Sequence, residues 1–442
     1  MKAKEIILVI LIIAAGAFVY YAQSGRLDWQ FDEELGPLFG NWDEFTYEET
    51  QEIGAPLPAG LQVMNAHGRV EIQGADVDKI QIVFLKRIWR KSEEDAKKVS
   101  AELKMVVNRE DPKLVLSTNR NEFRRKRFET DFKIVVPAGM DILVRNSYGL
   151  VRTAKTGRTD LTNPHGEIEA SDVQKDLTIV SSYENVLADG VNGTCRITAP
   201  HADLTARRIR GELVIGHSYG SLKLEDVEKD TTVDGSHSEI LAKNLRGRTE
   251  IASSYERISL AEIGPVKIRA RHCDVDIDGA KGFVDVSDNY GRLQVTNLQG
   301  NLHGEGPNLE IYAKTVAAEE ISISTSNETV ELSGFTGHTT IIVSHGDIVL
   351  EPDAITGPLD VQATYANVRL TWPHQGGRFP FTAEARSGQI HWGLAEKPSV
   401  ETANGSSMTQ AFTDVAGKPS LKISTSYGDI RVEEKTRPLK SI

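Results

Sequence analysis

From Tyr148 onward the chain returns to a ring every 17 to 18 residues: Tyr148, His165, Tyr183, His201, Tyr219, His237, Tyr255, His272 and Tyr290. Asn308, Asn327, His345 and Tyr365 continue the column at looser spacing, and the pattern resurfaces at Ser387 and Tyr427. Two residues beyond the histidines stand Glu167, Asp203, Glu239 and Asp274, and Glu310 and Asp347 follow Asn308 and His345 in the same way. Imidazole beside carboxylate is the chemistry of metal binding, proton transfer and polar ligand recognition. The candidate interaction edge is therefore His201, Asp203, His237, Glu239, His272, Asp274, Glu310, His345 and Asp347.

Spacing narrows what this edge can do. If the repeats stack as strands, histidines in alternate coils lie roughly 9.6 Å apart, too far to share one zinc ion at bonds of ~2 Å. No catalytic residue, metal site or cofactor is expected. The run Glu239, Arg257, Asp274, Arg292, Glu310 alternates in sign from coil to coil, as a stacked column must to avoid like-charge repulsion. The edge thus reads first as a charge-balanced, aromatic-stacked border, and second as a row of sites for divalent cations or for the sugars of a polymer. His217 and Asp288 sit two residues before the column, where most repeats carry small residues, and are expected to make internal hydrogen bonds. No G-x-S-x-G, H-E-x-x-H, P-loop or EF-hand pattern occurs.

The elements that position the column follow from its neighbours. Three, five and eight residues after the markers from Tyr183 to Asn308 come apolar residues, as in Leu222, Leu224 and Val227, and four before them come residues such as Ile179, Ile197, Ile215 and Val233. Each unit holds two short strands with one face inward, separated by turns rich in Gly, Asn and Asp. One unit buries about six apolar side chains at no more than ~1.5–3 kcal/mol each, while ordering its backbone costs on the order of 1–2 kcal/mol per residue. A lone coil is unstable, and only stacking supplies the difference. The expected fold is all-β: a single-chain parallel β-solenoid (β-helix) of ~18-residue, two-strand coils, some fifteen of them in a rod of roughly 70 Å.

The regular solenoid is expected over 146–375, with irregular coils and a cap over 376–442 that blocks edge-to-edge association. Residues 53–145 read as a β-rich region with one short helix, SEEDAKKVSAEL, capped by Ser92. The basic run with Arg120, Arg124, Arg125, Lys126 and Arg127 reads as a solvated hairpin tip, or as a contact for anionic phospholipid or glycan phosphate.

Ahead of all this, Lys2 and Lys4 precede an uncharged run from Ile6 to Ser24, about long enough to span ~30 Å of hydrocarbon. Residues 1–24 are expected to be a transmembrane signal anchor, and the acidic stretch 25–52 a juxtamembrane linker. Cleavage as a signal peptide after a small-x-small site at Ala22 and Ser24 is the alternative. The charge flanks favour a single-pass cell-membrane protein with a cytoplasmic N-terminus and an extracytoplasmic body. A net charge of -12 gives no reason to expect nucleic acid. Cys195 and Cys273 are the only cysteines, and the register holds them four coils apart, beyond disulfide reach.

The opening LQVMNAHGRVEIQG, the inserted helix, FKIVVPAGMDILVRNSYG and the recurring xGxφxφxxxxG cadence resemble the bacterial "putative adhesin" family of β-strand-repeat domains of unknown function, over about 55–435. The resemblance implies a β-helix and surface exposure, and it transfers no functional residues. Together these features point to a membrane-anchored, exported, adhesin-like and non-enzymatic protein whose ligand is a glycan or an envelope protein. A polysaccharide-acting β-helix enzyme and a bactofilin-like polymerising scaffold are the alternatives. The oligomeric state is left open.

Overall fold

The computed structural model describes residues 42–434 apart from 124–126, 374–376, 397, 404–405, 413–414 and 416. The apolar run over 6–24 and the start of the acidic stretch lie outside the described residues, as do Arg124, Arg125 and Lys126. Among the described residues no helix is long and apolar enough to cross a membrane.

Period-two alternation over short runs folds as expected, into parallel strands that lie coil on coil. Leu213–Val227 pairs in parallel with Cys195–Pro200 and Leu204–Ile209 on one side and with Thr231–Leu245 on the other. The register is the sequence period itself: Leu204 faces Leu222, which faces Ile240, which faces Ile258. All four are buried, in one continuous core that runs from Ile53 to Val432. Inward side chains therefore stack on their equivalents and close the deficit of the single coil.

One corner of the coil departs from ordinary backbone. Lys155, Asp172, Arg208, Asp226, Asn244, Glu262, Asn297 and Thr315 all have φ between 52° and 58°, and Gly190, Gly279 and Gly334 fill the same place in other coils. The left-handed conformation costs a non-glycine residue roughly 1–2 kcal/mol. It persists because the pairing on either side, Glu225 with Lys243 and Val227 with Leu245, steps over the corner residue and holds it.

At both ends the order of coils in space departs from the order in the chain. Gly60–Met64 and Val70–Ala75 form a coil lying between the one built from Lys113–Thr118 and Phe128–Pro137 and the one built from Asp141–Arg145 and Val151–Ala154. At the other end Leu421–Thr425 and Ile430–Glu434 slot between Leu359–Tyr365 with Val368–Trp372 and Phe381–Ala385 with Ile390–Trp392. Regular coils thus reach beyond 146–375, into the β-rich region 53–145 and into 376–442, which was expected to be irregular.

Antiparallel strands then terminate the ladder. Ile80–Arg90 lies antiparallel on Phe128–Pro137, with Asp43–Ile53 outside it, and Ser406–Ala411 lies antiparallel on Phe381–Ala385. Asp43–Ile53 occupies the second half of the stretch expected as linker. The helix Glu93–Glu102 packs beside Ile80–Arg90, and Ser92 caps it by accepting from the Asp95 amide at 3.3 Å. These antiparallel strands cover the end of the parallel ladder, and their own outer strands, such as Asp43–Ile53, have a partner on one side only among the described residues.

Candidate functional site

The marker column is a ladder of stacked rings. His67, Tyr148, His165, Tyr183, His201, Tyr219, His237, Tyr255, His272 and Tyr290 follow one another with centroids 4.6–5.6 Å apart and planes within 2–22°. A second short ladder joins His345, Tyr365 and Tyr427 at 4.8 and 4.7 Å. Between the two, Asn308 and Asn327 continue the column as amides, the Asn327 Nδ2 donating to Asn308 Oδ1 at 2.9 Å. Parallel pairing places these residues one coil apart, so the ring separation is the strand spacing relaxed by a small offset.

The sequence reading missed His67 as the first ring and Tyr427 as the neighbour of Tyr365. Both sit in coils displaced from chain order. The signal was nonetheless present, since Val70 and Ile72 follow His67 at the offsets of the apolar residues in the later repeats.

Stacking determines what the ladder offers. The tyrosines are 44–54% exposed, yet within the runs each ring face is covered by the next ring. What reaches solvent is an edge of phenol hydroxyls and imidazole nitrogens. Ligands that lie flat on an open ring have no place along it, whereas ligands that accept and donate hydrogen bonds do. Alternation of Tyr and His is not a demand of stacking, because Tyr365 and Tyr427 stack as closely as the mixed pairs. It follows the two-coil period of the repeat.

The flanking carboxylates fall where the register put them, with differing partners. Asp203 accepts from the Ser221 amide and hydroxyl, each at 2.9 Å, and those bonds hold its carboxyl below the ordinary value. Glu310 accepts from the Tyr312 hydroxyl at 2.7 Å and from Arg292 Nε at 3.0 Å. Asp347 accepts from Asn367 Nδ2 at 3.1 Å. Asp274 lies between Arg257 and Arg292 in the strand register. The expected charge alternation closes into an ion pair only at Arg292 and Glu310, while Arg257 turns to Asp276 at 3.9 Å. Among the described residues no group of three His, Cys, Asp or Glu side chains could hold a metal ion.

Beneath the rings runs an inward polar column, and it carries the internal hydrogen bonds expected of His217 and Asp288. His217 is buried, with Nδ1 2.8 Å from Ser238 Oγ and Nε2 2.7 Å from the Ala202 carbonyl. Asp288, 1% exposed, accepts from the backbone amides of His272, Cys273 and Tyr290 at 2.9, 3.0 and 3.2 Å. Burial nevertheless outweighs these bonds and raises its carboxyl above the ordinary value. Asn146 and Asn163 do the same work with donors, reaching the carbonyls of Gly68 and Tyr148 and of Gly149 and Glu167. Cys195 and Cys273 are free and buried, and burial pushes their thiols up to about 12 and about 11, which leaves little thiolate for chemistry.

The ladder's own energy is testable at Tyr219, which has φ 57° and stacks on His201 at 5.0 Å and His237 at 4.8 Å. Tyr219→Ala removes both contacts and is expected to destabilise by roughly 1–3 kcal/mol. Tyr219→Gly removes the same contacts but relieves the left-handed strain, so it should be the more stable of the two by roughly 0.5–1 kcal/mol. Urea unfolding of both variants checks the order.

A capped parallel β-solenoid with a ringed edge is the class of protein that fold and site define. The family model described as Toastrack DUF4097 matches residues 61–433, and the chain belongs to that family. The resemblance read from the repeats, to β-strand-repeat domains of unknown function, is thereby borne out. No curated protein matches the chain. Among solved structures, the crystal structure of a "putative cell adhesion protein" from Clostridium sporogenes is 9% identical and covers 88% of this chain and 100% of that one. Its TM-score is 0.16, too low for the superposition to support any argument.

Proposed function

We propose that the chain is a membrane-anchored, exported, adhesin-like β-solenoid that presents its long edge to an envelope or cell-surface partner and catalyses no reaction. The observation that carries this reading is the ladder, a rigid border of ten stacked rings whose hydroxyls and imidazoles face solvent beside a row of carboxylates. A recognition surface benefits from such preorganisation, since side chains already fixed by stacking lose little further freedom on binding. The apolar run Ile6–Ser24, with lysines before it and acids after it, supports an anchor with the body outside.

The rival readings fit less well. An acid-base enzyme on a polymer needs two carboxylates converging on one bond, whereas Asp203, Glu239, Asp274 and Glu310 stand in alternate coils with Ser221, Arg257 and Arg292 between them. A scaffold that grows end to end needs open terminal coils, and antiparallel hairpins cover both. Protease treatment of spheroplasts or protoplasts expressing the full chain, in which a periplasmic and a surface body are equally accessible, tests the placement. The body should be digested while a cytoplasmic marker survives; protection of the body until the membrane is permeabilised would contradict it.

A further inference from the structure

On the outer face of the second strand of each coil, most positions carry long side chains. In the middle of the strand Glu256–Ile263 they are short instead: Ser259 and Ala261, with the exposed Arg257 and Glu262 at either end. The register sets Leu241 and Lys243 beside them on one flank and Asp276 and Asp278 on the other. Two small residues between two rows of larger ones leave a trench of about 710 Å³, lined also by Arg257 and Gln294. That volume lies within the range of ligand sites, about 300–1,000 Å³.

The unmatched charges on the two banks are opposite in sign, since Glu225 on the basic side is taken by Lys223 and Arg292 on the acidic side by Glu310. The Lys243 side chain has no ion pair or hydrogen bond among the described residues. Asp278 is held only by neutral donors, Thr296 Oγ1 at 3.1 Å and Asn297 Nδ2 at 2.8 Å. Asp276 has Arg257 at a long 3.9 Å, while Lys223 on the basic side is already matched by Glu225 at 3.2 Å. Leu241, 40% exposed, adds an apolar wall beside Lys243. A cation on one bank and carboxylates on the other, two strand spacings or ~9.6 Å apart, are complementary to a molecule with a charge of each sign at its two ends.

We propose that this trench binds a short zwitterionic peptide lying across the strands. Its carboxylate sits on Lys243, its ammonium on Asp278 and Asp276, and its C-terminal side chain against Leu241. Three residues at about 3.3–3.6 Å each separate the terminal charges by about the width of the trench. Ser259 and Ala261 form the floor, and their smallness is what admits the backbone. The site adjoins the charged row beside the rings through Arg257 and Arg292, but uses none of the rings and does not depend on where the chain is anchored.

Titration calorimetry of the full-length protein with Ala-Ala-Leu, its termini free, tests the assignment against the same peptide acetylated and amidated. The free peptide should bind and the blocked one should not. Lys243→Met and Asp278→Asn should each weaken binding about fivefold, the scale of a partly exposed ion pair. Ala261→Gln should fill the trench and abolish binding while circular dichroism stays that of the wild type. Equal binding of the blocked peptide, wild-type affinity in the three variants, or no binding of the free peptide at millimolar concentration would overturn the proposal.

Discussion

Asp288→Ala is expected to be the most damaging single substitution along the ringed corner, costing about 3 kcal/mol or more. The carboxylate accepts three backbone amides, from His272, Cys273 and Tyr290, at a position 1% exposed. Deleting it leaves the buried Cys273 amide without a partner, at roughly 1–3 kcal/mol, and adds smaller losses at the part-buried His272 and Tyr290 amides. No rearrangement is cheap, because Gly306 of the next coil packs so closely that a Cβ there would meet the Asp288 carbonyl at 1.7 Å. Asp288→Asn, which keeps an acceptor for part of the set, should cost less. Urea unfolding with hydrogen exchange at the His272 to Tyr290 amides would show the loss as local deprotection; protection equal to the wild type would refute the clasp.

The same residue has a pH signature of definite sign. Burial raises the Asp288 carboxyl, so the folded chain holds that proton more tightly than the unfolded chain does. Its contribution to stability is fully present below the ordinary aspartate value, about 3.9, and is lost as pH rises through the raised folded value. Asp203 and Asp189 behave oppositely. Backbone and hydroxyl donation from Ser221 lowers the Asp203 carboxyl. Burial works to raise that of Asp189, but Arg208 and Arg207 outweigh it and hold it down. Their stabilisation is present above the ordinary carboxylate value and is lost as pH falls through the lowered ones. Stability curves of Asp288→Asn and the wild type should therefore diverge across the acid range in the direction set by Asp288 alone.

Much of the fold was legible because stacking repeats its inward residues at a fixed offset. Leu222, Leu224 and Val227, picked out by spacing alone, are buried, and the ring column has the register that spacing implied. What escaped notice was set by non-local geometry. His67 and Tyr427 join their ladders only because end coils are inserted out of chain order, across excursions with no periodicity of their own. The left-handed corner stayed hidden because Lys155, Arg208, Glu262 and Thr315 are held there by the pairing on either side, with no glycine to mark the turn in those coils. The partner of Arg257 depended on side-chain reach rather than register, and the guanidinium passes over Asp274 for Asp276. The trench was visible only in outline, as small residues at Ser259 and Ala261 where the flanking repeats carry Lys and Asp.

The larger functional effect is expected from hydroxyls that the fold does not use. Tyr312 donates its hydroxyl to Glu310, whereas those of Tyr148, Tyr183, Tyr219, Tyr255 and Tyr290 make no hydrogen bond to the described residues. Phenylalanine at these five positions retains every ring contact and strips the edge of its donors. Stability should change little, while each hydroxyl that meets a partner is worth about 0.5–1.5 kcal/mol, so a handful together exceed a tenfold loss in affinity. The measurement is co-sedimentation of the full-length protein, held in detergent so that its apolar run is occupied, with bacterial cell walls stripped of lipid, wild type beside the five-fold Tyr→Phe variant. The account predicts that the wild type sediments and that the variant, equally stable to urea, binds at least about tenfold more weakly. Equal sedimentation of the two, or a wild type that stays in the supernatant, would contradict it.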